Sequence, residues 1–300
     1  MWRQWVWIVW CVSVLAMCLV PQEGWGQRPK HTYGMKPSAF LKFNYDVENL
    51  WNGHHFDGSL GLPIVMNDNW MVQISGKYQL THLNVSEPIH GYSPESLKIN
   101  GTHQSLSESL VAFMQYKVAN RTLMGGVIAS MTFSEYGFGG VSGVIMLVYH
   151  LVERENFSFG LGAVGIVNTA LRWPAYPLIW LKWQMTEQLA LQITPPQAQF
   201  MFRATKQLNV GVRTALQFEK FYFSPEDEAL SDHMKYSAML LRTGAVFEFR
   251  PIFPISLTAE AGFDFPCVSK FVKGVWGKKV FDVDRPLSGF FMIKTSMMLL

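Results

Sequence analysis

Residues 69–80 read Asn-Trp-Met-Val-Gln-Ile-Ser-Gly-Lys-Tyr-Gln-Leu. Trp70, Val72, Ile74, Tyr78 and Leu80 share one parity, and Met71, Gln73, Ser75, Lys77 and Gln79 share the other. Successive side chains of an extended chain point to opposite sides, so this stretch spells a strand with one apolar and one polar face. The same period governs four further segments. Leu41, Phe43, Tyr45 and Val47 oppose Lys42, Asn44, Asp46 and Glu48. Ala198, Phe200 and Phe202 oppose Gln199 and Arg203, and Leu208, Val210, Val212, Leu216 and Phe218 oppose Asn209, Arg213, Gln217 and Glu219. Ile255, Leu257, Ala259, Ala261, Phe263 and Phe265 oppose Ser256, Thr258, Glu260 and Asp264.

A soluble β-sandwich alternates in the same way, so length decides. These segments run about 9 to 16 residues, beyond the ~5–6 of an ordinary soluble strand and sufficient for the ~9–11 of a tilted membrane strand. Lipid supplies no water for an open sheet edge, so membrane strands close into a barrel. Short polar turns are read at Asn67-Asp68, Ala119-Asn120, Arg154-Glu155, Thr186-Glu187, Thr205-Lys206 and near Pro251 to Pro254. Between them lie longer links at 49–55, 83–103, 135–138, 169–175, 223–233 and 266–286, and one short link at Pro195-Pro196. Short turns on one rim and long loops on the other are the plan of an outer-membrane barrel. The expected fold is all-β, a transmembrane up-and-down antiparallel β-barrel of about 12–14 strands, with both termini on the periplasmic side.

Composition agrees. The chain is 49% hydrophobic, only 16% charged and 14% aromatic, where a soluble domain carries about 25% charge. Aromatic rings suit the membrane boundary. A net charge of +3 gives no bulk attraction to nucleic acid. Arg3, the apolar run Val6 to Val20 and Gly24-Trp25-Gly26 form a secretory signal, with cleavage before Gln27. An uncleaved anchor and a lipoprotein modified at Cys18 are the alternatives. The expected organisation is a signal peptide over 1–26, a short periplasmic arm over 27–37 and a barrel over 38–300. The arm is too short for a folded plug. Cys11 and Cys18 lie in the signal, so the mature chain keeps only Cys267 and forms no internal disulfide. A pair of membrane helices over Phe157 to Leu181 is the rival reading, against which stand Gly160, Gly162, Gly165, Arg172, Pro174 and Pro177.

Asn67-Asp68-Asn69-Trp70-Met71-Val72, the Gly-rich run Phe157 to Val167, Pro177-Leu178-Ile179-Trp180 and Thr194-Pro195-Pro196-Gln197-Ala198 together resemble an outer-membrane β-barrel family of Gram-negative bacteria. The resemblance implies location and fold and carries no activity. Such barrels usually end on an aromatic residue, whereas this chain ends Met298-Leu299-Leu300.

Motifs of chemistry are weak. Gly160-Leu161-Gly162-Ala163-Val164-Gly165 matches a dinucleotide fingerprint literally, but the helix that must follow would run into Trp173-Pro174. His103 and Ser105 share a strand face and could form a nucleophile pair. His54-His55 falls in a predicted link, and adjacent residues on extended chain face apart, which disfavours one metal taking both. His150 is read as a pore-lining or packed histidine. No catalytic residue, metal site or cofactor is expected.

The strand charges say more. Lys42, Asp46, Lys77, Arg203, Arg213, Glu219, Arg242, Glu248, Glu260, Asp264 and Lys294 all lie opposite an apolar face. A mid-bilayer Arg or Lys facing lipid costs about 2–4 kcal/mol, so these residues are expected to line the lumen. Two readings follow: a narrow channel for small solutes, and a closed structural or binding barrel with a salt-bridged interior. A lipid-modifying enzyme is the third. Expected partners are outer-membrane lipid, lipopolysaccharide and the barrel-assembly machinery. The acidic loop 223–233 and the basic loop 266–286 are expected to be flexible neighbours that attract each other over the mouth.

Overall fold

The computed structural model describes residues 39–48, 53–66, 69–84, 100–118, 121–134, 137–167, 175–223, 234–251, 255–273, 278–282 and 287–299. The expected signal and arm lie outside these residues, as do Glu226, Asp227, Glu228 and Asp232 of the acidic loop.

The elements are β1 (Ala39–Glu48), β2 (Gly53–Met66), β3 (Trp70–Asn84), β4 (Asn100–Val118), β5 (Arg121–Ser134), β6 (Gly137–Glu153), β7 (Phe157–Val167), β8 (Ala175–Gln184), β9 (Leu189–Thr194), β10 (Gln197–Arg203), β11 (Leu208–Phe223), β12 (Met234–Phe249), β13 (Ile255–Lys273), β14 (Lys278–Asp282) and β15 (Ser288–Leu299). Each strand from β1 to β13 pairs antiparallel with its neighbour in sequence, β13 also pairs β15, and β15 pairs β1. The circle therefore closes. The short strand β14 pairs only the far end of β13, which leaves fourteen strands in the ring, and no helix occurs among the described residues. This is the closed antiparallel barrel expected from the alternation, at the upper of the two strand counts.

The faces separate as the period dictates. One face exposes Phe43, Trp70, Ile74, Leu110, Ile145, Leu161, Ile179, Val212, Phe247, Phe263 and Ile293. The other buries Arg242, Glu260, Asp264, His150, Val148 and Val246. In a soluble protein this distribution would be inverted, so the exposed face is built for an apolar solvent. On β3, Trp70 and Tyr78 share that face. Eight residues at ~3.3 Å, tilted by ~40°, span roughly 20 Å of height, close to the ~25 Å apolar band of such barrels.

Three local features depart from the sequence reading. The link expected at 266–286 is largely strand, because β13 continues to Lys273 and β14 occupies Lys278–Asp282. Pro266 hides this in sequence. It sits where the β12–β13 register slips between Met239 and Leu240, and a bulge tolerates a residue without an N–H. Lys270, Lys273, Lys278 and Lys279 therefore stand on paired strands and not on a flexible loop. His54 and His55 belong to β2, not to a link. The link expected at 135–138 shrinks to residues 135–136. There the β5–β6 register shifts after Thr132, and Gly140 takes a φ of 141°, which a Cβ would oppose.

The ring is not round. Fourteen strands ~4.8 Å apart and tilted ~40° would make a circle on the order of 28 Å across. Yet β4 and β11, opposite one another in the strand order, approach within 8 Å between Cα atoms. The inward parity of β4 carries Ser105, Ser107 and Ser109, and that of β11 carries Gly211 and Ala215 with Arg213 between them. Small side chains on β4 leave room for that approach.

Candidate functional site

The site is the polar face of the sheet, read from the register outward. On β12, Arg242 lies opposite Ala215 of β11 and Asp264 of β13. Its Nε and Nη2 donate to Asp264 Oδ1 and Oδ2 at 2.8 and 2.7 Å. Its Nη1 donates to Asp46 Oδ2 at 2.5 Å, reaching past β13 and β15 to β1. The guanidinium lies 4.1 Å over the Phe290 ring. Arg242, Asp264 and Glu260 are only 1%, 0% and 2% exposed. A buried charge is tolerated when paired with good geometry, and a forked guanidinium on a carboxylate is the strongest such pairing. Glu219 lies within the electrostatic reach of Arg242, Asp264 and Asp46.

One strand pair along, Arg213 Nη1 donates to Glu260 Oε2 at 2.9 Å, and its Nε and Nη2 donate to Gln199 Oε1 at 3.3 and 3.2 Å. Glu248 accepts from Arg250 Nε and Nη2 at 2.8 and 2.6 Å and from Asn209 at 3.5 Å.

A third group forms on β1, β2, β3 and β15. Lys77 pairs with Asp57 at 3.3 Å, and Asn44 Nδ2 donates to both Asp57 oxygens at 2.8 and 3.1 Å. Lys42 lies opposite Ser59, and Ser59 opposite Lys77. Lys294 lies opposite Asn44. Beyond them runs a wall of hydroxyls. Ser75, Ser109, Ser130 and Ser142 occupy consecutive register positions across β3 to β6. Ser109 meets Ser130 at 2.7 Å and Ser107 meets Thr132 at 3.1 Å.

The structure thus brings Asp46, Arg213, Glu219, Arg242, Glu260 and Asp264 into one network, and Lys42, Lys77 and Lys294 into another. Glu248 belongs to a smaller group with Arg250. Arg203 stands apart: it is exposed, at the end of β10, and its backbone N–H donates to Gln188 at 2.7 Å. Asn44, Gln199 and Ser75 are placed on polar parities by the sequence without a role in the site, while Asp57, Phe290 and the rest of the serine wall are not read from it. Gly53, Gly58 and Gly61 interrupt the alternation of β2, which concealed Asp57. Its spacing of two from His55 and Ser59, opposite Phe56, was the available signal.

The histidines resolve as follows. His54 is exposed with Nδ1 2.9 Å from the Tyr45 hydroxyl, while His55 Nδ1 lies 3.2 Å from Thr81 Oγ1, so the pair does face apart. His150 is packed, 1% exposed. Its Nδ1 lies 3.0 Å from Ser158 Oγ and 3.8 Å from Glu153, and its Nε2 lies 3.0 Å from the Met124 sulfur. An acyl-transfer triad needs nucleophile and acid on opposite ring nitrogens. Here both are on Nδ1, and Ser158 is itself buried. The side chain of His103 lies outside the described residues. Cys267 is a free, exposed thiol.

No family model matches the chain, and no curated protein matches it. Solved structures do. A Pseudomonas aeruginosa FadL homologue is 12% identical over 89% of this chain and 91% of its own, with a TM-score of 0.45. An outer membrane channel from Pseudomonas putida F1 is 10% identical over 91% and 100%, with a TM-score of 0.43. Outer membrane phospholipase A from Escherichia coli is 7% identical over 90% and 94%, with a TM-score of 0.36. These are likenesses of fold, and no residue role passes from them to this chain.

Proposed function

We propose that this chain is an outer-membrane barrel, of the Gram-negative family its sequence resembles, that passes small polar solutes through a narrow, off-centre route. Ten of the eleven strand charges named from sequence line or fill its lumen, and Arg203 stands outside that set at the end of β10. One observation carries the reading: the two sectors of the polar face differ in accessibility. Arg242, Glu260 and Asp264 are sealed, whereas Ser59, Ser75, Ser107, Ser109, Ser130, Thr132 and Ser142 all keep partial exposure. Hydroxyls both donate and accept, so such a wall replaces water around a passing solute. The exposed apolar face, with its aromatic residues near both ends of the strands, supports insertion in the outer membrane after export. The protein acts without covalent chemistry in this reading.

The approach of β4 to β11 favours the second reading, a closed structural or binding barrel. Planar-bilayer recording on the folded, purified protein separates the two. Discrete conductance steps are expected, lowered by Ser109→Trp or Ser130→Trp. Folded protein that gives no current above the bare lipid overturns the channel. Phospholipid hydrolysis by wild type and not by Ser105→Ala would overturn the non-enzymatic reading.

A further inference from the structure

We infer that Lys42, Lys77 and Lys294 form an anion site that gives the passage a preference for small anions; this deepens the channel reading and rests on it. Three lysines gather around one carboxylate. Lys42 and Lys77 flank Ser59 in a single register row. Lys294 sits opposite Asn44, whose amide holds Asp57. Lys42 and Lys294 repel each other, and both are drawn to Asp57.

The nearby acids are already committed. Asp57 is held by Lys77 and Asn44, Glu260 by Arg213 and Glu248 by Arg250. Among the described residues neither Lys42 nor Lys294 has a carboxylate within ion-pairing distance. The ammonium of Lys42 lies instead 4.0 Å from the Phe40 ring centroid. The group therefore presents an excess of positive charge.

That charge is reachable. The Lys77 side chain is 44% exposed, and Lys42 and Lys294 are half-buried. The adjoining acid-rich cluster around Arg242 is sealed, so the lysines are the more accessible charges for a solute on the hydroxyl wall. Ser59 between two ammonium groups, and Ser107 opposite Lys77, add hydroxyl donors for the oxygens of a carboxylate or phosphate. Ammonium groups bind such oxygens as point charges and not by fixed forks, which suits transient passage.

The test uses the full folded protein in two arms. In bilayers under a potassium chloride gradient, the zero-current potential is expected to show chloride favoured over potassium. Each of Lys42→Gln, Lys77→Gln and Lys294→Gln is expected to cut that ratio by about five-fold, the weight of ~1 kcal/mol from one removed charge. Asp57→Asn is expected to raise it. In detergent, citrate titrated calorimetrically should bind wild type and bind Lys77→Gln about five-fold more weakly. Conductance without anion preference, or with preference unmoved by all three lysine variants, overturns the lysine site and leaves the channel. Absent conductance with citrate binding that depends on the lysines overturns the channel and leaves the site in a closed barrel. Absence of both overturns both.

Discussion

The sector built on β12, β13, β15 and β1 and the wall built on β3 to β6 belong to one continuous sheet, yet they solve the interior differently. In the first, charge is packed: Arg242 joins β12 to β13 and reaches β1, with Phe290 beneath it. In the second, small hydroxyls satisfy one another in pairs and leave space. The first arrangement fixes geometry, because each buried charge depends on a partner one to three strands away. The second fixes little and costs little, because a half-exposed serine that loses its partner finds water. The contrast teaches where stability and where permeation reside in this barrel.

The largest effect expected from breaking that contrast is at Arg242. Arg242→Met leaves the buried Asp264 and the part-buried Asp46 without this cation, for a loss of about 3–5 kcal/mol. Urea unfolding in a fixed detergent, followed by tryptophan fluorescence, measures it. Joining Asp264→Leu to the same variant should recover part of the loss. A cost under ~1 kcal/mol for the single variant would mean that the sealed sector is held by something other than its ion pairs.

A substitution on the opposite face comes next. Val212 is 52% exposed on the apolar side of β11, beside Arg213 on the polar side. Val212→Arg is expected to cost about 2–4 kcal/mol in lipid, as a charge at mid-membrane does. Ser142→Arg, on the hydroxyl wall away from the β4–β11 approach, should stay within ~0.5 kcal/mol, as for a solvated position. Equal costs for the two would show that the wall is not wet.

Much of this plan was legible in advance. The parity of β1, β3, β10, β11 and β13 places their apolar residues on one side, since a one-residue slip would exchange every side chain. The partners of those charges were not legible. Asp46 and Arg242 are 196 residues apart and meet only because β15 pairs β1 and closes the ring. Of the serine wall only Ser75 was placed on a polar parity, for a different reason: serine is neither apolar nor charged, so it marks a hydrophobic period weakly. The end of β13 was lost to Pro266, whose bulge is invisible without a register. Outside the described residues, the signal segment and the acidic loop stand as expectations.

Backbone closeness separates the sectors at a smaller scale. Gly262 of β13 lies opposite Gly244 of β12 and Phe290 of β15. A Cβ there would run into the backbone of Thr243 and Gly244. Gly262→Ala must shift paired strands beside Arg242, for an expected loss of about 1–3 kcal/mol. Gly76 of β3 has nothing near its Cβ position, so Gly76→Ala should be neutral or slightly stabilising through reduced unfolded-chain entropy. The same unfolding assay compares them.

The smallest expected effect is the most specific to the wall. Ser109 and Ser130 meet at 2.7 Å across β4 and β5, both half-buried. Ser109→Ala removes one hydroxyl, and Ser130 then turns to water. A part-buried hydrogen bond within reach of water is worth about 0.5–1 kcal/mol, so unfolding should barely move. Conductance should hold or rise slightly, because a methyl hydrogen occupies less room than a hydroxyl. A loss of 2 kcal/mol or more, about the cost of stranding a buried hydroxyl, would show that Ser130 has no water to turn to. The wall would then be as dry as the Arg242 sector, the contrast would vanish, and the closed barrel would be the better description of the molecule.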